Sequence, residues 1–196
     1  MQRSTTNNVW YLPETIFVDG KEYAIRTDFR VVLDLFTALS DPEMVGETES
    51  ETNEIRARLM LEIMIPEYDK IEDKTEAINQ ICEFVDMGEG DSKPHPKVMD
   101  WQQDAKLIIP AVNKVIGHDI RMEKHMHWWT FLSAYMEIGE STFSHVLHLR
   151  QKKAKGKKLE KWEQEFIREN KDLVILKDAS NERDEEEKEE LRKLLY

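Results

Sequence analysis

Apolar residues recur along the chain with two different periods, and the change of period separates a predicted hairpin from predicted helices. Residues 16–25 carry β-branched and aromatic side chains on both sides of Asp19-Gly20, a dipeptide typical of the type I′ turn of a β-hairpin. From Phe29 to Ser40 the apolar residues recur instead at i, i+3 and i+4, which indicates an amphipathic helix. Thr27 or Asp28 is expected to cap its N-terminus.

Helical periodicity returns in five later segments, which are residues 55–63, 73–87, 98–116, 141–150 and 159–166. Two stretches between the helices have other compositions. Asp41 to Glu54 is rich in acids and has no Lys or Arg, so we interpret it as a solvated loop. Gly88 to Pro96 is dense in turn-forming residues, which is typical of a linker. Together these patterns predict a mainly α-helical protein, a helical bundle-like domain with a small N-terminal β-hairpin.

The linker also sets the predicted division of the chain. Residues 1–90 are expected to form an N-terminal lobe with the hairpin and the first helices, and residues 91–180 a C-terminal helical lobe. Residues 181–196 are predicted to be a charged C-terminal helix or tail, because acidic and basic residues there recur at the i, i+4 spacing that supports an isolated helix.

The most unusual helix in the predicted C-terminal lobe places Trp128 beside Trp129. Neighbours on a helix point about 100° apart, so a helix from Met122 to Ile138 would be apolar over a wide arc. Such a helix either lies at the centre of its own domain or holds a partner. We expect both tryptophans to be buried, in the monomer or at a subunit contact. The candidate partner-binding residues are Met122, Met126, Trp128, Trp129, Phe131 and Tyr135.

Charge and composition restrict the partners. The net charge of −12 argues against binding to a phosphate backbone, so nucleic acid is an unlikely partner. The one basic segment, Arg150 to Lys161, has seven cations and one acid; it is expected to be an exposed, mobile loop or a dock for an acidic protein surface. The single cysteine, Cys82, excludes an internal disulfide and is expected to be a buried small hydrophobe. Without an apolar run long enough for a membrane span or a signal peptide, the chain is expected to be soluble and cytoplasmic.

No catalytic constellation emerges from the six histidines and the abundant carboxylates. His125 and His127 would point to nearly opposite sides of a helix, so they cannot share a metal ion. His118-Asp119 is similar to the metal-binding pair of helical phosphohydrolases, although the turn after Gly117 also explains both polar residues. We therefore expect no catalytic, metal-binding or cofactor-binding residue. A metal-dependent hydrolase that uses His118 and Asp119 is the alternative.

Several motifs in the second half of the chain resemble a small family from long-tailed phages of Gram-positive bacteria, known as the phage gene-fifteen product. The matching features cover roughly residues 98 to 172 and include a helix that runs from Phe143 to Arg150 and the lysine-rich segment after it. The three short motifs are Trp101-Gln102-Gln103-Asp104-Ala105, Gly117-His118-Asp119-Ile120 and His127-Trp128-Trp129-Thr130-Phe131.

The resemblance implies a role in tail morphogenesis, because such genes tend to lie between those for the tail tube and the tape-measure protein. That position is typical of tail assembly chaperones, which bind the tape measure, recruit tube subunits and are absent from the finished virion. A non-enzymatic chaperone in the host cytoplasm is thus expected, with the tape-measure protein as partner. The tail tube protein is a second candidate partner, and a homo-oligomer is a candidate assembly state. Apolar grooves rich in methionine suit such a client. A minor structural or adaptor protein of the virion is a further alternative.

Overall fold

The hairpin and the first helix lie where the sequence predicts them. In the computed structural model, which describes residues 10–41, 44–87 and 96–177, strands β1 (Thr15–Val18) and β2 (Lys21–Ala24) pair antiparallel. Asp19 and Gly20 between them have φ angles of 50° and 75°, as a type I′ turn requires. Helix α1 (Phe29–Ser40) begins after Asp28, whose carboxylate accepts the Arg30 N–H at 2.9 Å.

Seven further helices follow α1 in the described part of the chain. They are α2 (Glu49–Met64), α3 (Lys74–Val85), α4 (Ala105–Ile116), α5 (Trp128–Met136), α6 (Thr142–Ala154), α7 (Lys161–Glu169) and α8 (Lys171–Val174). The protein is therefore mainly α-helical with one small antiparallel hairpin, which confirms the predicted fold class. Within the described ranges, every helix is too short or too polar to span a membrane.

Helix α2 begins earlier than the sequence analysis predicts. Thr48 and Glu51 form a reciprocal capping box, in which each side chain accepts the backbone N–H of the other residue. The acids from Glu49 onward are therefore helical, and their interpretation as part of a solvated loop is wrong. Acidic side chains in the first turn favour a helix because they oppose the positive end of its dipole.

Helix α4, in contrast, begins later than predicted. The Asp100 carboxylate accepts the N–H groups of Gln102 and Gln103, at 3.1 and 3.0 Å, and this local turn competes with helix formation. The helix starts only at Ala105, so the predicted start at residue 98 is wrong.

Cys82 on α3 is a further correction, because it was expected to be buried. It is exposed, because α3 turns Ile81 and Phe84 into the core and leaves the two residues between them outside.

The described chain divides into two compact units that differ from the predicted lobes. Unit 1 holds the described residues up to 87 together with residues 105–139, and unit 2 holds residues 96–104 and 140–177. The aromatic helix belongs with the hairpin in unit 1 because the chain before α1 pairs with the chain before α5. Trp128 donates its backbone N–H to the Thr27 carbonyl at 2.7 Å, and Phe29 donates to the Met126 carbonyl at 2.9 Å. Residues 88–95 of the predicted linker and the predicted tail over residues 181–196 lie outside the described residues.

Unit 1 packs its helices around the inner face of the hairpin. α3 lies against β1, α1 lies against α2 and α5, and α4 lies against α5. Gln80 on α3 also completes the outer edge of β1: its amide accepts the Phe17 N–H at 2.9 Å and donates to the Phe17 carbonyl. The largest fully buried side chains of this unit are Ile16, Val18, Leu35, Met64, Ile65, Ile81, Phe84, Ile120, Trp128 and Phe131.

Unit 2 is smaller and has a different kind of core. α8 lies against α6 and α7. The apolar side chains buried in it are few, namely Phe143, Val146, Leu149 and Val174. Three buried charged residues, Asp104, Arg150 and Glu163, accompany them.

Candidate interaction surfaces

The helical part of the aromatic segment is shorter than predicted, because His127 ends the preceding extended chain and caps α5. The His127 Nδ1 accepts the Trp129 N–H at 3.1 Å, and Nε2 lies 3.0 Å from the Pro13 carbonyl oxygen. Since Nδ1 accepts, the ring proton is on Nε2 and is donated to Pro13. Burial lowers the pKa of His127, which keeps the ring in this neutral form. Met126 lies in the extended chain, and Met122 in a separate 3₁₀ helix, Ile120–Met122.

The adjacent tryptophans have a specific structural role. The Trp128 indole N–H donates to the Val85 carbonyl at 2.9 Å, and the Trp129 indole N–H donates to the Phe84 carbonyl at 2.7 Å. Both carbonyls belong to the last turn of α3, where a helix has carbonyl groups without intrahelical partners. Two neighbouring indole N–H groups therefore donate hydrogen bonds to two neighbouring carbonyls at the end of α3. Trp128 is 1% exposed and Trp129 is 2% exposed, which confirms that both are buried.

Most of the candidate partner-binding residues form the core of unit 1 rather than a surface. Phe131 stacks on Phe29 of α1, with ring centroids 4.6 Å apart and planes 9° apart. Trp129 stacks on Phe84 of α3, and Met126 is also buried. Met126, Trp128, Trp129 and Phe131 are thus inaccessible to a partner while unit 1 is folded. The physical reason is that α5 fills the space between α1 and α3.

Apolar surface remains at the edges of this core. Met122 is 81% exposed and Met136 is 62% exposed, Tyr135 is half-buried, and Val115 on α4 is exposed. We call Val115, Met122 and Met136 the exposed apolar set. A second exposed apolar stretch, residues 10–12, precedes the hairpin.

His118 and Asp119 lie in the turn between α4 and the 3₁₀ helix. The Asp119 carboxylate accepts the backbone N–H of Arg121 at 3.0 Å and its Nε at 2.9 Å. The Arg121 guanidinium holds the pKa of Asp119 well below its usual range. His118 Nε2 lies 2.7 Å from Glu123 Oε1. The turn accounts for both residues, and the described residues contain no group of three His, Cys, Asp or Glu side chains placed to hold a metal ion.

Arg150 is the residue whose role the sequence analysis missed. It was expected at the start of an exposed basic loop, and it is buried on α6 instead. Its guanidinium forms a fork on the Asp104 carboxylate, with N–O distances of 2.7 and 2.8 Å. Its remaining N–H groups donate to three backbone carbonyls, those of Val98, Leu173 and Val174. All five donors are used.

The Arg150 fork holds three separate chain segments together: residues 96–104, α6 and α8. A signal for this role exists in the sequence. Arg150 follows Phe143 and Val146 at the i, i+3, i+7 spacing of one helix face, and it does not belong to the lysine run that follows. An arginine on an apolar face indicates a buried partner, and Asp104 of the Trp-Gln-Gln-Asp-Ala motif is that partner.

A second buried ion pair joins α6 to α7. Lys152 Nζ lies 2.7 and 2.8 Å from the two carboxylate oxygens of Glu163, whose side chain is 2% exposed. Glu163 also accepts the Glu160 N–H at 2.7 Å. Lys152 and this backbone N–H lower the pKa of the Glu163 carboxyl. Lys152, like Arg150, is therefore part of the structure of unit 2 rather than of an exposed loop.

The rest of the basic segment is exposed as expected. We call Lys153, Lys155, Lys157, Lys158 and Lys161 the lysine surface, because all five are exposed and none forms an ion pair with another described residue. Trp162 follows this surface and is 56% exposed. One face of its indole stacks on His145, at 5.4 Å between ring centroids.

Comparison with known protein families identifies a relationship. The model of a family described as Bacteriophage Gp15 protein matches residues 11–176. No curated protein and no solved structure matches the chain. The matched residues include the hairpin, the aromatic helix and the Arg150–Asp104 pair.

Proposed function

The chain belongs to the Bacteriophage Gp15 protein family, and from that premise we propose that it is a non-enzymatic tail assembly chaperone that binds its phage's tape-measure protein. The observation that carries the proposal is the family match over residues 11–176. It supports a role in a phage. The position typical of such genes, between those for the tail tube and the tape measure, supports the more specific role of a tail assembly chaperone.

The exposed apolar set of unit 1 is the proposed client surface. Met122 ends the 3₁₀ helix that precedes the chain leading into α5, and Met136 is the last residue of α5. Methionine side chains are flexible and polarizable, and they adapt to clients of different shape. An amphipathic helix of the tape measure would lay its apolar face on these side chains.

The charge of the protein supports the same role. A net charge of −12 keeps a complex with a long, aggregation-prone client in solution, because like-charged complexes repel one another. The exposed apolar stretch over residues 10–12 offers a second contact. Recruitment of tail tube subunits and self-association remain further proposals for these surfaces.

Co-expression with the tape-measure protein tests the proposal. We expect the two proteins to purify together and the soluble fraction of the client to rise. The double substitution Met122→Glu, Met136→Glu should abolish both effects, since two carboxylates in the contact would have to be desolvated. Met44→Glu, Val45→Glu is the matched control, because it also places two acids at exposed apolar positions of unit 1. The control should behave as the wild type.

The proposed location is the host cytoplasm and not the mature virion. Mass spectrometry of purified virions should find the tape measure but not this protein. Its presence in virions, combined with no complex and no gain in client solubility on co-expression, would contradict the chaperone and support a minor structural or adaptor protein.

A further inference from the structure

The lysine surface of unit 2 has a concentration of charge that the described structure does not neutralise. Five exposed lysines stand within nine residues, and their mutual repulsion is unfavourable. Lys152, only one residue before them, is in contrast paired with Glu163 at 2.7 Å. A surface of this kind is expected to attract an anionic partner.

The chain itself contains an anionic segment of matching charge. Residues 182–190 hold seven acids against Arg183 and Lys188. Each charged segment is followed by apolar side chains: Trp162 follows the lysine surface, and Leu191, Leu194 and Leu195 follow the acids. Residues 182–190 are therefore complementary to the lysine surface in charge and in the order of charged and apolar residues.

The described chain ends near this surface. The backbone of Lys177 and Ile175 is tied to the Gln103 side chain, at 2.9 and 2.7 Å. The Val174 carbonyl accepts the Arg150 Nε at 2.8 Å. Arg150 lies four residues before the end of α6, a distance of roughly 6 Å along the helix. Eight extended residues after Lys177 span up to about 28 Å, so the acidic segment can reach the lysines.

We propose that residues 182–190 dock on the lysine surface of the same chain and cover it against nucleic acid and other polyanions. The surface then attracts its own chain first, because an attached segment acts at a high effective concentration. A phage protein with this device keeps an exposed basic patch away from the nucleic acid of the infected cell. The proposal does not depend on the chaperone role.

Zero-length carbodiimide cross-linking of the full chain tests the contact directly. We expect amide links between the lysine surface and Glu185, Glu186 or Glu187. In a mixture of unlabelled and ¹⁵N-labelled protein, the two peptides of each linked pair should be either both unlabelled or both labelled, since both come from one chain. Pairs of one unlabelled and one labelled peptide would overturn the proposal in favour of docking between two copies. The absence of these links, when other Lys–Glu links form, would also overturn it.

Polyanion binding tests the consequence. At low salt, the substitutions Glu185→Gln, Glu186→Gln, Glu187→Gln should tighten the binding of a single-stranded oligonucleotide roughly tenfold, since three weak ion pairs no longer compete. The matched control, Glu47→Gln, Glu49→Gln, Glu54→Gln, removes the same charge from exposed positions of unit 1. It should change binding by about twofold or less, through net charge alone. Equal effects of the two triple variants would overturn the proposal.

Discussion

The two units are stabilised by different chemistry. Unit 1 has a core of stacked rings and aliphatic side chains, in which the polar groups of Trp128 and Trp129 serve the end of α3. Unit 2 has few buried apolar side chains and is organised by the Arg150–Asp104 fork and the Lys152–Glu163 pair. Burial of apolar surface is non-directional, whereas a buried ion pair stabilises only if its geometry is satisfied. Unit 1 should therefore tolerate conservative changes that unit 2 does not.

The largest effect is expected for Trp129→Ala in unit 1. Removing this buried side chain should lower the free energy of unfolding by about 3–5 kcal/mol, through lost transfer energy and the cavity left behind. Trp129→Phe keeps the ring that stacks on Phe84 and loses mainly the indole donor, so its cost should be about 1–2 kcal/mol. Chemical denaturation measures both. An alanine variant as stable as the wild type would contradict the assignment of Trp129 to the core.

In unit 2, even the conservative substitution Arg150→Lys should be costly, unlike Trp129→Phe in unit 1. Lysine keeps the charge but lacks the planar fork, and it cannot supply five donors. The carbonyls of Val98, Leu173 and Val174 would lose donors, and we expect a cost of about 2–4 kcal/mol. Hydrogen exchange of peptides from each unit localises the effect.

The double substitution Arg150→Met, Asp104→Leu is the control for this prediction. It removes both charges together, so it should recover part of the stability that a single substitution loses. An Arg150→Lys variant with unchanged exchange in unit 2 would contradict the view that geometry, and not charge alone, stabilises this unit.

As the pH is lowered, unit 1 should lose stability at a higher pH than unit 2. The loss should be smaller than that caused by Trp129→Ala or by Arg150→Lys. Burial lowers the folded-state pKa of His127 below its ordinary 6.5, so the unfolded chain binds the proton more readily. The stability that neutral His127 provides is present above pH 6.5 and is lost as the pH falls below it. Protonation of Nδ1 would remove the acceptor that caps α5 at the Trp129 N–H. Stability measured by thermal unfolding should lose this pH dependence in His127→Asn, which keeps a capping oxygen.

The smallest effect is expected at Glu163 of unit 2, in a lower pH window. Its folded-state pKa is lowered from 4.5 by Lys152 and the Glu160 N–H. Its contribution is therefore present above pH 4.5 and is lost as the pH falls through the lowered folded-state value. In Glu163→Gln, the protection of the α6 and α7 amides against hydrogen exchange, measured relative to their intrinsic exchange rates, should depend less on pH in this window. An identical pH profile in the variant would show that the pair contributes little.

Many local features of the fold were predicted, but the starts of α2 and α4 were not, although the Thr48 capping box and the Asp100 turn that set them are also local. The hairpin turn at Asp19-Gly20 and the start of α1 at Asp28 depend on neighbouring residues, and both were predicted. The start of α5 depends on His127 contacting Pro13, more than a hundred positions away, and it was predicted too early. The candidate partner-binding residues were selected as apolar and aromatic, which identifies burial but not whether the chain itself or a partner covers them.

Periodicity, turn chemistry and short motifs are local properties of the chain, and they predict the helical class, the hairpin, the burial of both tryptophans and the family. Two other features are visible only in the folded chain, namely that the aromatic helix belongs to the hairpin's unit and that Arg150 is buried on Asp104. The physical reason is that buried hydrogen bonds and ion pairs depend on which distant segments meet. Arg150 and Lys153 are both cations of one basic segment, and only the position of Asp104 and of three carbonyls makes one of them the centre of unit 2.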